Sequence, residues 1–256
     1  MILADTHTHL YLKEFDADRS EVVRSGILKG IRYFFLPNID SETIPALFGL
    51  CKEFPANCFP MIGLHPCSVN NKYGDELHVV EYWLTQRKFS AIGEIGIDLH
   101  WDKTFINQQK DAFAQQVELA KKYDLPVVIH TRDSFDVAYE IVAGLNSKKL
   151  KGIFHCFTGK KEDAEKVIAL GGFKMGIGGV VTFKNSGLAQ LVSEIDLDYF
   201  VLETDSPYLA PVPFRGKRNE SGYLPIIAEK IAEIKKIPIE EVARITTQNA
   251  LAVFSL

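Results

Sequence analysis

The N-terminal segment carries two histidines one residue apart, directly after a short apolar run. Residues Asp5-Thr6-His7-Thr8-His9 follow Ile2-Leu3-Ala4, a run that predicts a buried strand. Side chains along a strand alternate between its two faces, so His7 and His9 are expected to project to the same side. Two imidazoles at this spacing suit one metal ion. The motif is short, and two packed or solvated histidines would give the same pattern.

Further metal-binding side chains stand at the ends of later apolar runs. Five of the seven histidines in the chain occupy such ends. A buried carboxylate such as Glu94 costs roughly several kcal/mol when it has no cation or donor beside it. Glu203 and Asp205 would share one face of one strand and repel each other. A divalent cation removes both penalties, so the pattern favours a metal site.

The candidate ligands exceed the number that one tetrahedral ion takes, and they suit two ions that share a carboxylate. Glu94 is the candidate bridge. Mixed nitrogen and oxygen donors indicate Zn²⁺, Mn²⁺ or another first-row ion, and carboxylates add Mg²⁺. Cys156 follows a candidate ligand directly, so it is expected to point to the opposite face and pack in the core. The full candidate set is His7, His9, Glu94, His130, His155 and Asp205.

The elements that position these residues alternate between strand and helix. Helical signals lie between the apolar runs, such as the spacing of Phe113, Val117 and Ala120, and two more helices follow the last run. Strands this apolar have no solvated face, which indicates a parallel sheet covered by helices. Eight repeats predict an α/β fold, a (β/α)8 TIM barrel with extra C-terminal helices. The predicted strands are 2–4, 31–36, 59–64, 91–97, 126–129, 152–157, 172–177 and 199–202.

The composition of the chain limits the classes of protein to which it can belong. Hydrophobic residues at 46% and charged residues at 24% are ordinary for a globular protein. No G-x-G-x-x-G opens a helix after the first strand, which counts against a dinucleotide fold. No linker divides the chain, so a single domain over 1–256 is expected. No apolar run is long enough for a membrane span, no signal peptide is evident, and four cysteines without a C-x-x-C pair suggest a cytoplasmic setting.

Charge is distributed unevenly. The net charge of −4 argues against bulk electrostatic coating of nucleic acid. Basic residues nevertheless cluster after the predicted strand ends, where the loops of a barrel share one face and can surround an anionic substrate. No obligate protein partner is evident. These basic residues are Arg132, Lys160, Lys161, Lys184, Arg215, Lys217 and Arg218, and aromatic residues that could stack exposed bases are Trp101, Phe157, Phe183, Tyr208 and Phe214.

The motifs together resemble the TatD family of metal-dependent deoxyribonucleases, within the amidohydrolase-like barrel superfamily. The resemblance runs over nearly the whole chain. Two departures concern substrate fit, since the family commonly has an aromatic residue at His100 and a proline at Ser221. The motifs that carry the resemblance are Asp5–His9, Gly63–Pro66, Gly93–Asp98, His130–Asp133, His155–Gly159, Glu203–Pro207 and Arg215–Glu220.

The resemblance implies two divalent ions and a DNA substrate. One ion would be held by His7, His9, Glu94 and Asp205, the second by Glu94, His130 and His155, with Glu203 also in the essential set. It implies cleavage of phosphodiester bonds, as a 3′-to-5′ exonuclease on single-stranded or frayed ends. Two alternatives stay open: a bimetal hydrolase of an amide, lactone or aminoacyl ester, and a metal-stabilised binding protein without turnover.

Roles in catalysis follow from a metal-bound water, whose pKa falls toward neutrality. Asp205 is predicted to be the general base, and Glu203 is the second candidate. His65 is predicted to donate a hydrogen bond to the phosphate or to the leaving oxygen. The residues predicted to bind substrate phosphates are Arg132, Arg215, Lys217 and Arg218.

Overall fold

The structure, a computed structural model, describes all 256 residues, and strands alternate with helices along the chain. The strands are β1 Leu3–Asp5, β2 Ile31–Leu36, β3 Cys58–Pro60, β4 Ile92–Asp98, β5 Val127–Arg132, β6 Gly152–Phe154, β7 Phe173–Ile177 and β8 Phe200–Leu202. The helices are α1 Arg19–Leu28, α2 Ile44–Glu53, α3 Tyr73–Gln86, α4 Ile106–Tyr123, α5 Phe135–Leu145, α6 Lys161–Ala169, α7 Leu188–Glu194, α8 Leu224–Lys235 and α9 Ile239–Phe254. All eight predicted strands are present, several of them shorter than expected.

The strands form a closed parallel barrel in chain order. Strands β1 to β3 pair with one another, and so do β4 to β8. A parallel bridge between Ile62 and Ile92 joins the two groups on one side, and a bridge between Thr8 and Ser206 joins them on the other. The predicted (β/α)8 barrel is therefore confirmed, and the carboxyl ends of all eight strands open on one face.

Apolar side chains fill both surfaces of the barrel wall. One large buried cluster lies between the strands and the surrounding helices. A smaller buried cluster fills the interior and includes Ala4, Phe35, Met61, Val128 and Ile153. Since both faces of the strands are buried, the near-continuous apolar runs of the sequence are explained.

Helix α9 covers the N-terminal end of the barrel. Helix α8 completes the eighth strand–helix unit, so α9 alone is additional to the barrel. The ring of Phe254 stacks on Phe35 with 3.7 Å between centroids. Asn249 donates to the carbonyl of Phe200 at the start of β8, and Lys151, just before β6, donates to the carbonyl of Ala252. No helix combines the length and the apolar composition that crossing a membrane requires.

Candidate metal centre

A cavity of about 810 Å³ opens at the carboxyl ends of the strands. Most of the candidate ligands line it, although they come from β4, from β5 and from the segments that follow β1, β6 and β8. This is the face at which barrel enzymes carry out their chemistry, because it gathers loops from every unit. The predicted residues among those lining the cavity are His9, His65, Glu94, His130, Arg132, His155 and Asp205.

The two N-terminal histidines lie in a bend after β1 rather than on a strand. Strand β1 ends at Asp5, two residues before His7. The backbone N–H of Asp205 donates to the carbonyl of His7 at 2.9 Å, and the N–H of His9 donates to that of Ser206 at 2.8 Å. The two histidines project to the same side, as expected, with their Nε2 atoms 3.2 Å apart, although β1 itself ends before them. The hydrogen bonds to the segment after β8 align them and also bring Asp205 alongside.

Glu94 lies on β4 beside a point where β4 and β5 approach each other closely. Gly96 has φ of +143°, and a Cβ at this position would overlap the carbonyl oxygen of His130. Only glycine permits this approach and this backbone conformation. Glu94 is only 2% exposed. The close pairing places its carboxylate directly beside the imidazole at the end of β5.

The two oxygens of Glu94 face different pairs of histidines. Oε2 lies 3.1 Å from Nε2 of His7 and 3.4 Å from Nε2 of His9. Oε1 lies 2.7 Å from Nδ1 of His130 and 2.8 Å from Nε2 of His155. Burial raises the pKa of Glu94, but the surrounding imidazoles, His155 foremost, outweigh burial and hold the pKa well below its ordinary value. Glu94 is therefore a carboxylate with one oxygen for each side of the centre.

Asp205 stands beside the first pair of histidines. Its Oδ1 lies 3.8 Å from Nε2 of both His7 and His9. Burial raises the pKa of this carboxyl to about 7, and the cationic forms of His155 and His9 oppose the rise. A group with this pKa exchanges a proton near neutrality, and a cation beside it would favour the charged form.

The donors fit divalent ions on both sides of Glu94. Ligand atoms about 2.1 Å from a tetrahedral zinc lie about 3.4 Å apart. The Nε2 atoms of His7 and His9 are 3.2 Å apart, and Nδ1 of His130 is 3.3 Å from Nε2 of His155. In both pairs the imidazole nitrogens face an oxygen of Glu94. The spacing, the burial and the chemistry of these nitrogen and oxygen atoms therefore all suit a divalent ion on each side of Glu94.

Two of the candidate ligands are oriented by partners on the far side of their rings. Nε2 of His130 lies 2.9 Å from Asp98, and Nδ1 of His9 lies 3.1 Å from the hydroxyl of Tyr11. Such partners fix the tautomer and the ring orientation of a metal-binding histidine. Sequence reasoning assigned no role to Asp98 or Tyr11. For Asp98 the available signal was its even spacing from Glu94 on one strand, since residues four apart share a face of an extended chain, whereas Tyr11 lies in a turn and offered no such signal.

Glu203 lies behind His155 rather than in the cavity. It is fully buried, and its Oε1 is 3.5 Å from Nδ1 of His155. The same oxygen accepts the backbone N–H of Cys156 at 2.5 Å. Gly176 on β7 leaves room for this carboxylate, because a Cβ there would overlap Oε2. The position suits support of a ligand more than direct contact with substrate.

His65 acts as a hydrogen-bond donor. Its Nδ1 accepts the backbone N–H of Cys67 at 3.0 Å, so the ring proton of the neutral form resides on Nε2. That Nε2 points at Oε1 of Glu94 at 3.3 Å. Burial lowers the pKa of His65, but Glu94 outweighs it and the net direction is upward. A protonated Nε2 cannot ligate a metal, so the geometry agrees with the donor role predicted for His65.

The predicted cationic residues do not all reach the cavity. Arg132 is the one lysine or arginine that lines it. The guanidinium of Arg215 lies over the ring of Phe183, and Lys217 lies near Phe214, both outside the cavity. Arg218 pairs with Asp18 at 2.6 Å, so its charge links the loop after β8 to the segment before α1.

Two expectations about non-ligand residues are corrected. Cys156 has φ of +46° after the end of β6, and it lines the cavity rather than packing in the core on the opposite face. The left-handed conformation breaks the alternation on which the prediction rested. Among the predicted stacking residues, Phe157 is buried and Phe214 stacks on Tyr223. Trp101 and Tyr208 remain exposed at the cavity.

Comparisons with known proteins agree with the fold and with a metal-dependent hydrolase. Residues 4–255 match the family model described as TatD related DNase. The uncharacterized metal-dependent hydrolase YabD of Bacillus subtilis is 37% identical over 256 residues and is covered, like this chain, to 100%. The crystal structure of the TatD homologue YjjV from Escherichia coli K12 has a TM-score of 0.92 at 26% identity, covering 99% of this chain and 98% of that one. A TatD family hydrolase of Entamoeba histolytica shares the fold, with a TM-score of 0.84 at 19% identity over 99% of this chain and 98% of its own.

Proposed function

Because the chain belongs to the TatD family of metal-dependent hydrolases, we propose that it hydrolyses phosphodiester bonds of DNA with two divalent ions. The observation that carries the proposal is the division of the Glu94 oxygens between two pairs of histidines. A carboxylate that serves both pairs is the arrangement a two-ion centre needs, and two-ion centres suit in-line displacement at phosphorus. Mg²⁺, Mn²⁺ and Zn²⁺ are the candidate ions.

Asp205 is the proposed general base. Bound ions would polarise a phosphoryl oxygen and activate a water for attack. Asp205 borders the cavity near His7 and His9, where its carboxylate can hold the proton that such a water loses. Glu203 is the weaker candidate for this role, since His155 lies between it and the cavity.

His65 and Arg132 are proposed to hold the phosphate. The Nε2–H of His65 points into the cavity beside Glu94, where it can donate to a non-bridging or leaving oxygen. Arg132 supplies the nearest permanent positive charge, at the end of β5. Donors placed where negative charge develops stabilise the transition state more than the ground state.

The polarity of cleavage and the competing substrate class are also part of the proposal. We take the reaction as 3′-to-5′ removal of nucleotides from single-stranded or frayed ends, on the family resemblance. A hydrolase of an amide, lactone or aminoacyl ester is the second candidate, favoured by the presence of only one arginine at the cavity. A binding protein without turnover is disfavoured by an open cavity that reaches the ligands.

The direct test is a substrate panel. Protein reconstituted with each metal is incubated with end-labelled single-stranded DNA, duplex DNA, RNA and a set of esters and amides. Progressive shortening of single-stranded DNA from its 3′ end is the expected result. Cleavage of an ester with no cleavage of any nucleic acid would contradict the proposal and support the second candidate.

Asp205→Asn separates chemistry from folding. Loss of a general base lowers turnover by about 10²- to 10⁴-fold, and weaker metal binding adds to the loss. Glu203→Gln is the matched comparison, expected to act mainly through metal affinity. Near wild-type DNA cleavage by Asp205→Asn at saturating metal would move the base assignment to Glu203.

A further inference from the structure

Trp101 presents an exposed indole at the edge of the metal cavity. Its side chain is 71% exposed, yet it stands on the loop between β4 and α4 and lines the cavity. Backbone N–H groups of the loop tether it to β4 and β5. Oδ1 of Asp98 accepts the N–H groups of His100 and Trp101 at 2.9 and 3.3 Å, and the N–H of Leu99 donates to the carbonyl of Arg132. The indole is therefore exposed to solvent on a loop whose position is fixed.

Two side chains, one from the neighbouring strand β5 and one from the same loop, also contact the ring. The guanidinium of Arg132 lies 5.0 Å from the centroid of Trp101, within cation–π range. The imidazole of His100 meets the indole edge-on at 4.9 Å, and its Nδ1 lies 3.0 Å from Asp133. Arg132 thus links the indole to the phosphate side of the cavity. An aromatic ring held in this way loses little freedom when a second ring stacks on it.

The space beyond Trp101 is acidic. A second cavity of about 430 Å³ adjoins the first, and Trp101 lines both. No lysine or arginine lines this second cavity, and Asp40 and Glu76 already accept hydrogen bonds from Ser68 and Ser41. A phosphate would be repelled from these walls, whereas an uncharged ring would not. The acidic residues that line it are Asp40, Glu42, Glu76, Asp98 and Asp102.

We propose that Trp101 stacks on the nucleobase of the terminal nucleotide, the one released when the phosphate at the metal centre is cleaved. The inference rests on the proposed function and specifies how that site receives its substrate. Stacking tolerates any base, because every base has a π face. The remaining phosphates of the strand run away from the acidic cavity, toward the basic loops after β6, β7 and β8.

The first test observes the indole directly and needs no turnover. The chain has two tryptophans, and Trp83 packs edge-on against Phe48 in α3 and α2. In Trp83→Phe protein, Trp101 is the only source of tryptophan fluorescence. Thymidine 5′-monophosphate should quench this emission saturably, and deoxyribose 5-phosphate should not. Equal quenching by both probes, or the same quenching in Trp101→Phe protein, would overturn the proposal.

The second test compares two labelled oligonucleotides that differ only in their terminal residue, which carries a base in one and is abasic in the other. Stacking on one base is worth about 5- to 150-fold in affinity, so the wild-type protein should show a lower KM for the base-bearing end by that order. Trp101→Ala should bring the two KM values together. Tyr82→Ala, which removes an exposed aromatic on α3, should leave the difference intact.

The two tests fail in distinguishable ways. Quenching by the nucleotide in a protein that cleaves no DNA would contradict the proposed function and retain the stacking site. A KM difference that persists in Trp101→Ala would place base recognition elsewhere in the cavity and overturn the assignment to Trp101.

Discussion

Glu94 shows how a single residue can make a buried site dependent on cations. Its carboxylate is 2% exposed and is surrounded by imidazoles rather than by arginine or lysine. Burial holds the pKa of His7 well below its ordinary value, so His7 adds little positive charge, and His7 and His9 present the same type of nitrogen to the same carboxylate oxygen. The side chains around Glu94 are therefore better suited to binding a metal ion than to forming a hydrogen-bonded core.

We expect Glu94→Ala to lose both ions. Removing the shared carboxylate takes one ligand from each side of the centre and leaves the two cations without the charge between them. Metal content of the purified variant, measured by mass spectrometry, gives the answer. Glu81→Ala on the surface of α3 is the control, and retention of two metal equivalents by Glu94→Ala would exclude a bridging role.

Asp5 offers a second residue-scale prediction, through pH. It is fully buried at the end of β1, and burial raises its pKa to about 7 from 3.8 in spite of hydrogen bonds from Ser221 and Thr204. Between these two values the native protein holds a proton that the unfolded chain releases. The stability that Asp5 contributes is therefore complete below the unfolded pKa and is lost as pH rises through about 7.

Asp5→Asn should flatten this part of the pH dependence. The free energy of unfolding is measured by urea titration of metal-free protein between pH 4 and 8, wild type against variant. Other groups that titrate in the range, Asp205 among them, are common to both proteins and cancel in the difference. Asp16→Asn at the surface is the control. Parallel pH profiles for wild type and Asp5→Asn would show that Asp5 is ionised in the native state.

At the scale of elements, the strands were predictable and their ends were not. Apolar runs reveal buried parallel strands because both faces of each strand are covered. The runs do not reveal where the chain leaves the barrel, since hydrogen bonds between distant loops decide it. His9 and Cys156 illustrate this: the first is aligned by Ser206, and the second turns into the cavity through a left-handed backbone.

The cluster of candidate ligands was predictable because the chemistry of its side chains is conspicuous in the sequence. Histidines and acids that recur at the ends of apolar runs are costly to bury unless they bind a cation. The supporting residues Asp98 and Tyr11 are ordinary by type, and only their contacts in the folded chain distinguish them. The ion pair of Arg218 was unpredictable for the same reason, as its partner Asp18 is 200 residues away along the chain.

Helix α9 provides a prediction for an element remote from the chemistry. Phe254 is 5% exposed and stacks on Phe35 inside the barrel. Phe254→Ala should lower the free energy of unfolding by about 3 to 5 kcal/mol, as is usual for a buried phenylalanine. Urea denaturation measures this, and Leu256→Ala, at a side chain 57% exposed, should change it by less than about 0.5 kcal/mol. An equal effect of the two substitutions would mean that the helix end does not seal the barrel.

Over the whole molecule, charge is segregated rather than abundant. The net charge is −4, and acidic residues line the cavity beyond Trp101 while basic residues follow β7 and β8. A local cationic surface of this kind can attract a polyanion that the molecule as a whole would repel. The binding of a DNA strand should therefore depend on which side of the barrel mouth is altered.

We expect Arg215→Ala and Lys217→Ala together to weaken the salt dependence of oligonucleotide binding. Removing one side chain that neutralises a phosphate of a single strand reduces the slope of log affinity against log salt by about 0.7. Binding is measured by fluorescence anisotropy over a range of salt concentrations. Arg218→Ala, whose guanidinium is engaged by Asp18, should leave the slope unchanged, as should Arg244→Ala on α9. Equal slopes for all variants would mean that the loop binds no phosphate.

The late position of Phe254 in the sequence also has a consequence for folding during synthesis. The ribosome synthesises Phe254 after all eight strands, so the strands of the nascent chain can pair before α9 is available to cover the N-terminal end of the barrel. Until α9 emerges, the rings of the interior, Phe35 among them, face water through the N-terminal opening. A chain that ends before this helix would therefore leave these apolar rings uncovered, and exposed apolar surface of this kind is prone to aggregation.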